Sequence, residues 1–186
     1  AEFLLVHCGR MSPEKQPERS VQALAELIKR GVNARLIIVG GGPLWNKVRK
    51  QSTGLPVDMV GYIASRQKVA DYLAAADLAI APGPLETFCL SALESLASGT
   101  PVVASKSSAV GEILNVNSIK AAGAVAADDG LSFANEIIKL LNKGNLRKVA
   151  RNQAEQYSWA NTIDAMLDIH GAKQPMVTTK RRLKAA

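Results

Sequence analysis

The chain has 186 residues, of which 47% are hydrophobic and 21% are charged. This length and composition indicate one globular domain with a sizeable core, and no apolar run approaches the roughly 20 residues that a membrane-spanning helix needs. The net charge is +7, but it is concentrated in a basic tail at Lys173, Lys180, Arg181, Arg182 and Lys184, and we expect no nucleic-acid partner.

Apolar runs alternate with segments of helical period through most of the chain. Strands are predicted at residues 3–8, 34–39, 57–60, 78–81 and 102–104. The first predicted helix has Ser12 as its N-cap and Pro13 at its first position, and it ends at Gly31. Further helices are predicted from about residue 44, over 65–75, up to residue 97, and throughout the chain from residue 131. This alternation predicts an α/β, Rossmann-like fold with a mostly parallel sheet, helices on both faces and a helical C-terminal end.

The chain begins directly on a predicted strand, so we expect a piece of a longer protein. Cys8 and Cys89 lack metal-ligand spacing, as do the two histidines, so we predict no metal site and a reducing, cytoplasmic compartment. His7 lies on a strand and is expected to be a hydrogen-bonded core histidine. The tail, residues 171–186, is predicted to be solvated and disordered; the alternative is peripheral contact with anionic lipid at the inner face of the cytoplasmic membrane.

Two cations follow the first predicted strand, in the run Gly9-Arg10-Met11-Ser12-Pro13-Glu14-Lys15. Ligands of open parallel sheets bind at the carboxyl ends of the strands, so a site is expected here. Gly9 lets a ligand approach the backbone, Arg10 offers a planar fork for phosphate oxygens, and Lys15 offers a flexible point charge. Lys15 would lie in the first turn of a helix, where the helix dipole disfavours a cation, which indicates a role beyond helix stability.

The run from Pro84 to Glu94 holds two glutamates eight residues apart. Glu86 precedes a predicted helix and Glu94 lies inside it, so the pair brackets a helix start, where unpaired N–H groups bind anions. The N–H groups expected around the anion belong to Thr87, Phe88, Cys89 and Leu90. Glu94 also falls in a segment that otherwise reads as buried, and a carboxylate is rarely buried without a partner. A phosphate flanked by hydroxyl-bearing groups, as in a nucleotide-sugar, suits this pattern.

A glycine turn, Gly40-Gly41-Gly42-Pro43, follows the second predicted strand. A dinucleotide-binding motif would need glycine where Trp45 stands, and its ribose-binding acid should follow a strand, whereas Asp58 stands beside the start of one. We therefore reject an NAD site.

Taken in order, these motifs resemble the C-terminal, donor-binding half of retaining GT-B glycosyltransferases of the family-4 type. The resemblance covers about residues 4–170, and the stretch 157–170 looks like that family's final helix, which in full-length enzymes crosses back to the N-terminal domain. Residues 81–88 and 105–112 look most like GDP-mannose-dependent α-mannosyltransferases of actinobacterial lipoglycan synthesis. The residues that carry the resemblance are Gly9-Arg10 with Lys15, Gly40 to Pro43, Glu86 with Glu94, and Ala97 to Val103.

The resemblance implies a role for each matching residue. Arg10 and Lys15 would hold the diphosphate and stabilise charge on the leaving nucleotide, and Glu86 would orient the hexose. Glu94 would accept hydrogen bonds from the ribose hydroxyls. The other residues implied in donor binding are Gly9, Gly41, Thr87, Phe88, Cys89 and Leu90, with the base near Val60, Gly61, Tyr62 and Ile63. Cys89 stands where the family usually has glycine; a negative φ would tolerate cysteine, whereas a positive φ would strain it.

The implied activity is transfer of a hexose to a glycolipid or glycan acceptor. Mannose from GDP-mannose is the preferred donor, UDP- and ADP-sugars are the alternatives, and no cofactor is required. Domain 1–170 would bind the donor, and the N-terminal acceptor domain is expected to be absent, so the isolated chain should transfer little sugar. A GT-B-shaped sugar-nucleotide epimerase and a non-catalytic nucleotide-binding module remain as alternatives; the enzyme hypothesis requires Arg10, Lys15, Glu86 and Glu94 to lie in one cleft.

Overall fold

The computed structural model describes residues 2–171, in which strands and helices alternate. The strands are β1 (Phe3–Cys8), β2 (Ala34–Val39), β3 (Val57–Gly61), β4 (Leu78–Ala81), β5 (Val102–Ser105) and β6 (Gly123–Ala126). The helices are α1 (Pro17–Lys29), α2 (Trp45–Gln51), α3 (Arg66–Ala75), α4 (Leu90–Ala97), α5 (Val110–Ile113), α6 (Gly130–Asn142), α7 (Arg147–Glu155) and α8 (Trp159–Ile169).

The strands form one parallel sheet in the order β3-β2-β1-β4-β5-β6. The chain builds outward from β1 to β3, then returns to the other side of β1 with β4. Ligands of such sheets bind where the strand order reverses, in the crevice between the loops that leave the two central strands. The predicted α/β, Rossmann-like fold is confirmed, and its crevice lies at the carboxyl ends of β1 and β4.

Two helical layers cover the sheet. Helix α1 packs against α2 and α6 in one layer, and α4 packs against α3 and α7 in the other. The buried residues of α1 and α6 recur every three or four positions, so each helix turns one apolar face inward. The largest buried side chains of this core include Leu5, Leu24, Leu36, Phe133 and Ile137.

The first helix begins later than predicted. Residues Pro13–Lys15 form a short 3₁₀ turn, Gln16 adopts a left-handed conformation with φ of 48°, and α1 starts at Pro17. A residue before proline is disfavoured in the α region, and proline itself suits the first helical position, so the second proline sets the start. Ser12 is therefore an N-cap and Lys15 lies in the single turn that follows it, as predicted, but this 3₁₀ turn does not continue into α1.

Strand β6 and helix α5 were not predicted. The strand reads Gly-Ala-Val-Ala, and its glycine and two alanines are poor strand formers. Its place depends on pairing with β5, in which Gly123 lies opposite Val102. A Cβ atom on Gly123 would lie 2.0 Å from the Val102 carbonyl oxygen, so only glycine permits this approach.

The described residues divide into two compact units, with the boundary after Glu155. The first unit contains the sheet and helices α1 to α7. In the second unit, the Ser158 hydroxyl accepts a hydrogen bond from the Asn161 N–H and so caps α8. Among residues 2–171, no helix combines the length and the apolarity needed to cross a bilayer. The basic residues predicted to form a tail, from Lys173 onward, lie outside the described residues.

The glycine turn after β2 holds the segment that follows β1. The Met11 N–H donates to the Gly41 carbonyl oxygen at 2.9 Å, and the Leu44 N–H donates to the Met11 carbonyl oxygen at 3.0 Å. Gly40 has a φ of 131°, and a Cβ there would lie 1.9 Å from the Gly9 carbonyl oxygen, whereas a Cβ on Gly41 would meet nothing within 4 Å. Gly40 is therefore required for loop packing.

We predict that Gly40→Ala lowers the free energy of unfolding by about 3 kcal/mol or more, because it adds a backbone clash to an unfavourable φ. Urea unfolding followed by circular dichroism measures the loss. Gly41→Ala is the matched control and should unfold with wild-type stability. Equal stability of the two variants would contradict the packing role of Gly40.

Candidate functional site

An ion pair joins the two loops that diverge at the reversal of strand order. Lys15 ends the 3₁₀ turn after β1, and Glu86 lies in the loop after β4. The Lys15 ammonium donates a hydrogen bond to Oε1 of Glu86, and the two side chains are only 33% and 13% exposed. Two residues 71 positions apart in the sequence thus meet at the crevice where the fold would bind a ligand.

A partly buried network of hydrogen bonds fixes the start of the Glu86 loop. Arg19 of α1 donates through Nη1 to the Pro82 carbonyl oxygen at 2.6 Å and to the Asp128 carboxylate at 3.2 Å. The hydroxyls of Ser105 and Ser107 also donate to Asp128. Burial by itself would raise the pKa of Asp128, but these two hydrogen bonds and the Arg19 charge together lower it. The carboxylate therefore stays ionised and holds Arg19 against the loop.

Two backbone contacts complete the loop. The Ala109 N–H donates to the Glu86 carbonyl oxygen at 3.0 Å. Gly83 lies against the 3₁₀ turn, since a Cβ there would be 2.9 Å from the Glu14 carbonyl oxygen. The backbone on both sides of Glu86 is thus held while its carboxylate faces the crevice.

Cys89 is the N-cap of α4 and has a left-handed backbone, with φ of 60° and ψ of 80°. This conformation strains any residue with a Cβ, so the strain expected for a positive φ is present. The thiol is buried, lies 3.4 Å from the Ser91 hydroxyl, and has a pKa raised by burial. Thr87, Phe88 and Leu90 are exposed around it. The first two N–H groups of α4 come too early in the helix to reach an intrahelical acceptor. An anion can therefore bind at this helix start.

A continuous cleft follows the carboxyl ends of β1 to β4. Its middle part is a cavity of about 420 Å³, and a cavity of about 680 Å³ adjoins it on the side of α3 and α4. Tyr62 and Ile63, directly after β3, line both. The predicted residues that line the middle part are Gly9, Arg10 and Gly41, while Glu94 lines the larger cavity. Val60 and Gly61 end β3 next to Tyr62.

The four predicted charged residues thus lie along one edge of the sheet. Cys8 and Gly9 line both the middle cavity and a small cavity that contains Lys15 and Glu86, so the cleft runs from Glu86 to Glu94. Glu94 is exposed, while Ala92, Ser95 and Leu96 of the same helix are buried. The segment is thus buried as expected, and α4 turns Glu94 away from the sheet.

His7 is the residue whose environment sequence reasoning described incompletely. It is buried in β1, with Nδ1 2.9 Å from the Ser20 hydroxyl. Its Nε2 atom has no hydrogen-bond partner among the described residues. Burial and, secondly, the Lys15 charge lower the pKa of His7 from 6.5 to about 4, against a smaller opposing effect of Glu18. His7 is therefore neutral at pH 7. A single sequence can place a histidine on a strand, but it does not show that one ring nitrogen lacks a partner.

Within residues 2–171, no three histidine, cysteine, aspartate or glutamate side chains are grouped so that they could hold a metal ion.

Comparison with known proteins gives one family match and several relatives. The family model described as glycosyl transferases group 1 matches residues 2–143. A GDP-mannose-dependent alpha-(1-6)-phosphatidylinositol dimannoside mannosyltransferase of Mycobacterium tuberculosis is 46% identical over 92% of this chain and 44% of its own length. A D-inositol 3-phosphate glycosyltransferase of Saccharomonospora viridis is 30% identical over 90% of this chain and 42% of its own. The chain thus spans less than half the length of these curated relatives.

Solved structures agree on the fold. Anabaena HepE in complex with UDP and glucose has a TM-score of 0.75 at 21% identity, covering 92% of this chain and 48% of that one. Sucrose-phosphate synthase from Thermosynechococcus elongatus has a TM-score of 0.74 at 24% identity, covering 91% and 45%. The match to about half of each larger chain fits the predicted half of a GT-B fold.

We predict that Cys89→Gly is about 1 kcal/mol more stable than Cys89→Ala, since only glycine removes the left-handed strain. Both variants lose the thiol, so the comparison isolates the backbone. Thermal unfolding of the two proteins measures the difference. Ala97→Gly, in the last turn of the same helix, is the control and should be destabilised by about 1 kcal/mol. A more stable alanine variant at position 89 would contradict the strain.

We predict that His7 makes stability depend on pH between 6.5 and 4. The unfolded chain protonates His7 as the pH falls through 6.5, whereas the folded protein resists protonation until about pH 4. The stability from neutral His7 is therefore complete above pH 6.5 and is lost on acidification, by about 3 kcal/mol. Urea unfolding at several pH values measures this slope, and His7→Gln should flatten it. A wild-type stability that stays constant from pH 6.5 to 4.5 would contradict the prediction.

Proposed function

Since the chain belongs to the glycosyl transferases group 1 family, we propose that it is the donor-binding half of a retaining, metal-independent glycosyltransferase. The observation that carries this proposal is the Lys15–Glu86 pair at the reversal of strand order, with Arg10 and Glu94 along the same cleft. The site then offers cations for a diphosphate at its centre and a carboxylate towards each end for hydroxyl groups. A nucleotide-sugar has this arrangement of groups.

Arg10 and Lys15 bind the diphosphate in this proposal. Breaking the bond between the sugar and the phosphate leaves negative charge on the nucleotide, and fixed cations beside that charge lower the barrier. An ammonium group has three donors. The one that Lys15 gives to Glu86 therefore leaves two for phosphate oxygens. Arg10 is exposed in the middle cavity and can supply a bidentate contact.

Glu86 orients the hexose. A carboxylate can accept about four hydrogen bonds, so Glu86 can bind sugar hydroxyls while Oε1 accepts from Lys15. The pair adds a second function to the lysine, because the same ammonium contacts both the sugar-binding acid and the phosphate. The amides of Phe88, Cys89 and Leu90, together with Thr87, contact the sugar and phosphate at the start of α4.

Glu94 binds the ribose, and the nucleobase lies against Val60, Gly61 and Tyr62 at the end of β3. Glu94 lines the 680 Å³ cavity, which is large enough for a nucleoside, and Tyr62 lies on the boundary between that cavity and the middle one. This order places ribose, diphosphate and sugar along the cleft from Glu94 to Glu86.

We infer that the donor is GDP-mannose and that the acceptor is a glycolipid or glycan. The M. tuberculosis relative, 46% identical, is named as a GDP-mannose-dependent mannosyltransferase acting on a phosphatidylinositol dimannoside. The acceptor binds a domain that this chain does not contain, in keeping with its coverage of 44% of that relative. The isolated chain therefore binds donor and transfers little sugar, and the complete enzyme works in the cytoplasm, at the inner face of the membrane.

Neither alternative is favoured. The family match and the named relatives are glycosyltransferases, which argues against a sugar-nucleotide epimerase. Arg10, Lys15, Glu86 and Glu94 lie along one cleft, which meets the condition that the enzyme hypothesis sets. The relatives named as enzymes favour a catalytic domain over a non-catalytic nucleotide-binding module.

We predict that the chain binds GDP more tightly than UDP or ADP in calorimetry. Arg10→Ala should weaken the affinity for GDP at least about tenfold and leave the affinity for guanosine unchanged, because the arginine contacts only phosphate. Glu94→Gln should weaken the affinities for GDP and for guanosine by the same factor, because both ligands contain the ribose.

Arg49→Ala, on the exposed surface of α2, is the control and should bind like the wild type. Failure of the wild type to bind any of the three diphosphates at millimolar concentration would refute the proposed function, and equal losses of GDP and guanosine in Arg10→Ala would refute the role of Arg10.

A further inference from the structure

His7 has a polar atom that the fold leaves without a partner. The side chain is only 2% exposed, and Nδ1 lies 2.9 Å from the Ser20 hydroxyl. Nε2 is buried and lacks a hydrogen-bond partner among residues 2–171. A buried ring nitrogen without a partner is destabilising, because it has given up its hydrogen bond to water and gained none. This nitrogen therefore points to a partner outside the protein's own side chains and backbone.

The atom lies beside a small polar cavity. His7, Lys15, Glu86, Cys89 and Ser91 all line it. About 10 Å³ of this cavity is open to the centre of a water molecule. That volume is about what one water needs, and a buried water typically makes about three hydrogen bonds to polar groups that lack partners. The cavity is too small for a sugar ring or a phosphate group.

We infer that this cavity binds one water molecule, which joins Nε2 of His7 to the Lys15–Glu86 pair and makes His7 a positioning residue for that pair. The water accepts from the Lys15 ammonium or donates to the Glu86 carboxylate, and its remaining bond goes to Nε2. Neutral imidazole has one donor and one acceptor nitrogen, and the Ser20 hydroxyl can serve either tautomer at Nδ1. His7 therefore adapts to the water without becoming charged.

The proposed water restricts movement of the Lys15–Glu86 pair in one direction, towards the solvent. Lys15 and Glu86 come from loops on opposite sides of the crevice, and His7 lies on β1, between β2 and β4 in the sheet. A water fixed on this central strand limits how far the pair can move towards the solvent. The inference rests on the proposed function only for its effect on nucleotide affinity; the water site itself follows from the cavity and the unpartnered nitrogen.

A crystal structure of the nucleotide-free chain tests the site directly. We expect a water oxygen about 2.7–3.2 Å from Nε2 of His7 and within the same range of Lys15 Nζ or a Glu86 carboxylate oxygen. In a His7→Phe structure this water should be absent. A wild-type map without water density at this position, or with water that contacts His7 alone, would overturn the inference.

Two near-isosteric variants separate positioning from core packing. Glutamine can place an amide group near Nε2, and asparagine can place one near Nδ1. His7→Gln should bind GDP within about twofold of the wild type, while His7→Asn, which keeps the contact with Ser20 and loses the water, should bind about tenfold more weakly (about 1.4 kcal/mol). Ser20→Ala is the control for loss of the Nδ1 contact and should bind like the wild type.

The outcomes are distinguishable. Better binding by the asparagine variant than by the glutamine variant would assign His7 to the Ser20 contact and overturn the inference, as would wild-type binding by both. If the wild type itself binds no nucleotide, the proposed function fails while the crystallographic result still decides the water site. If a variant does not fold, the wild-type crystal structure still shows whether the water site exists.

Discussion

Reversal of the strand order between β1 and β4 is the constraint on which the site depends. Although β1 and β4 pair within the sheet, the loops that leave them turn in opposite directions. The backbone hydrogen bonds of the sheet do not extend to these two loops, which leaves a crevice between them. Lys15 and Glu86 meet across that space. Two opposite charges in a half-buried crevice attract more strongly than on an open surface, so the pair both connects the two loops and provides charged groups for a ligand.

Much of the fold could be predicted because the hydrophobic pattern of each segment agrees with the strand or helix that the segment forms in the sheet and its covering layers. Strands such as Ala34–Val39 are short apolar runs, and amphipathic helices lie between them. The prediction errors occur where tertiary contacts, rather than the local sequence, determine the secondary structure. The 3₁₀ turn at Pro13–Lys15 depends on a second proline and a left-handed Gln16. Strand β6 forms from weak strand residues because glycine allows close pairing with β5.

The residues of the candidate site were predicted better than their environments. The spacing of Glu86 and Glu94, with Arg10 and Lys15 after the first strand, selected four charged residues that line the cleft, and their roles there stay predictions. Sequence alone could not show that Lys15 contacts Glu86, since the contact joins positions 71 residues apart. It could not show the sign of φ at Cys89 either, because that angle follows from how α4 meets the loop before it. The unpartnered nitrogen of His7 was equally invisible, since a missing partner is a property of the packed neighbourhood.

Arg19 and Asp128 hold the loop of the site in place without lining the cleft themselves. This arginine connects the loop after β4 to Asp128, which follows the edge strand β6. Ser105 at the end of β5 and Ser107 just after it complete the connection. None of these four side chains faces the cleft in the role of a ligand. The geometry of the loop after β4 therefore depends in part on residues at the edge of the sheet, where substitutions would not contact a ligand in the cleft. Relatives with the same charged residues could on this basis differ in affinity through their outer strands alone.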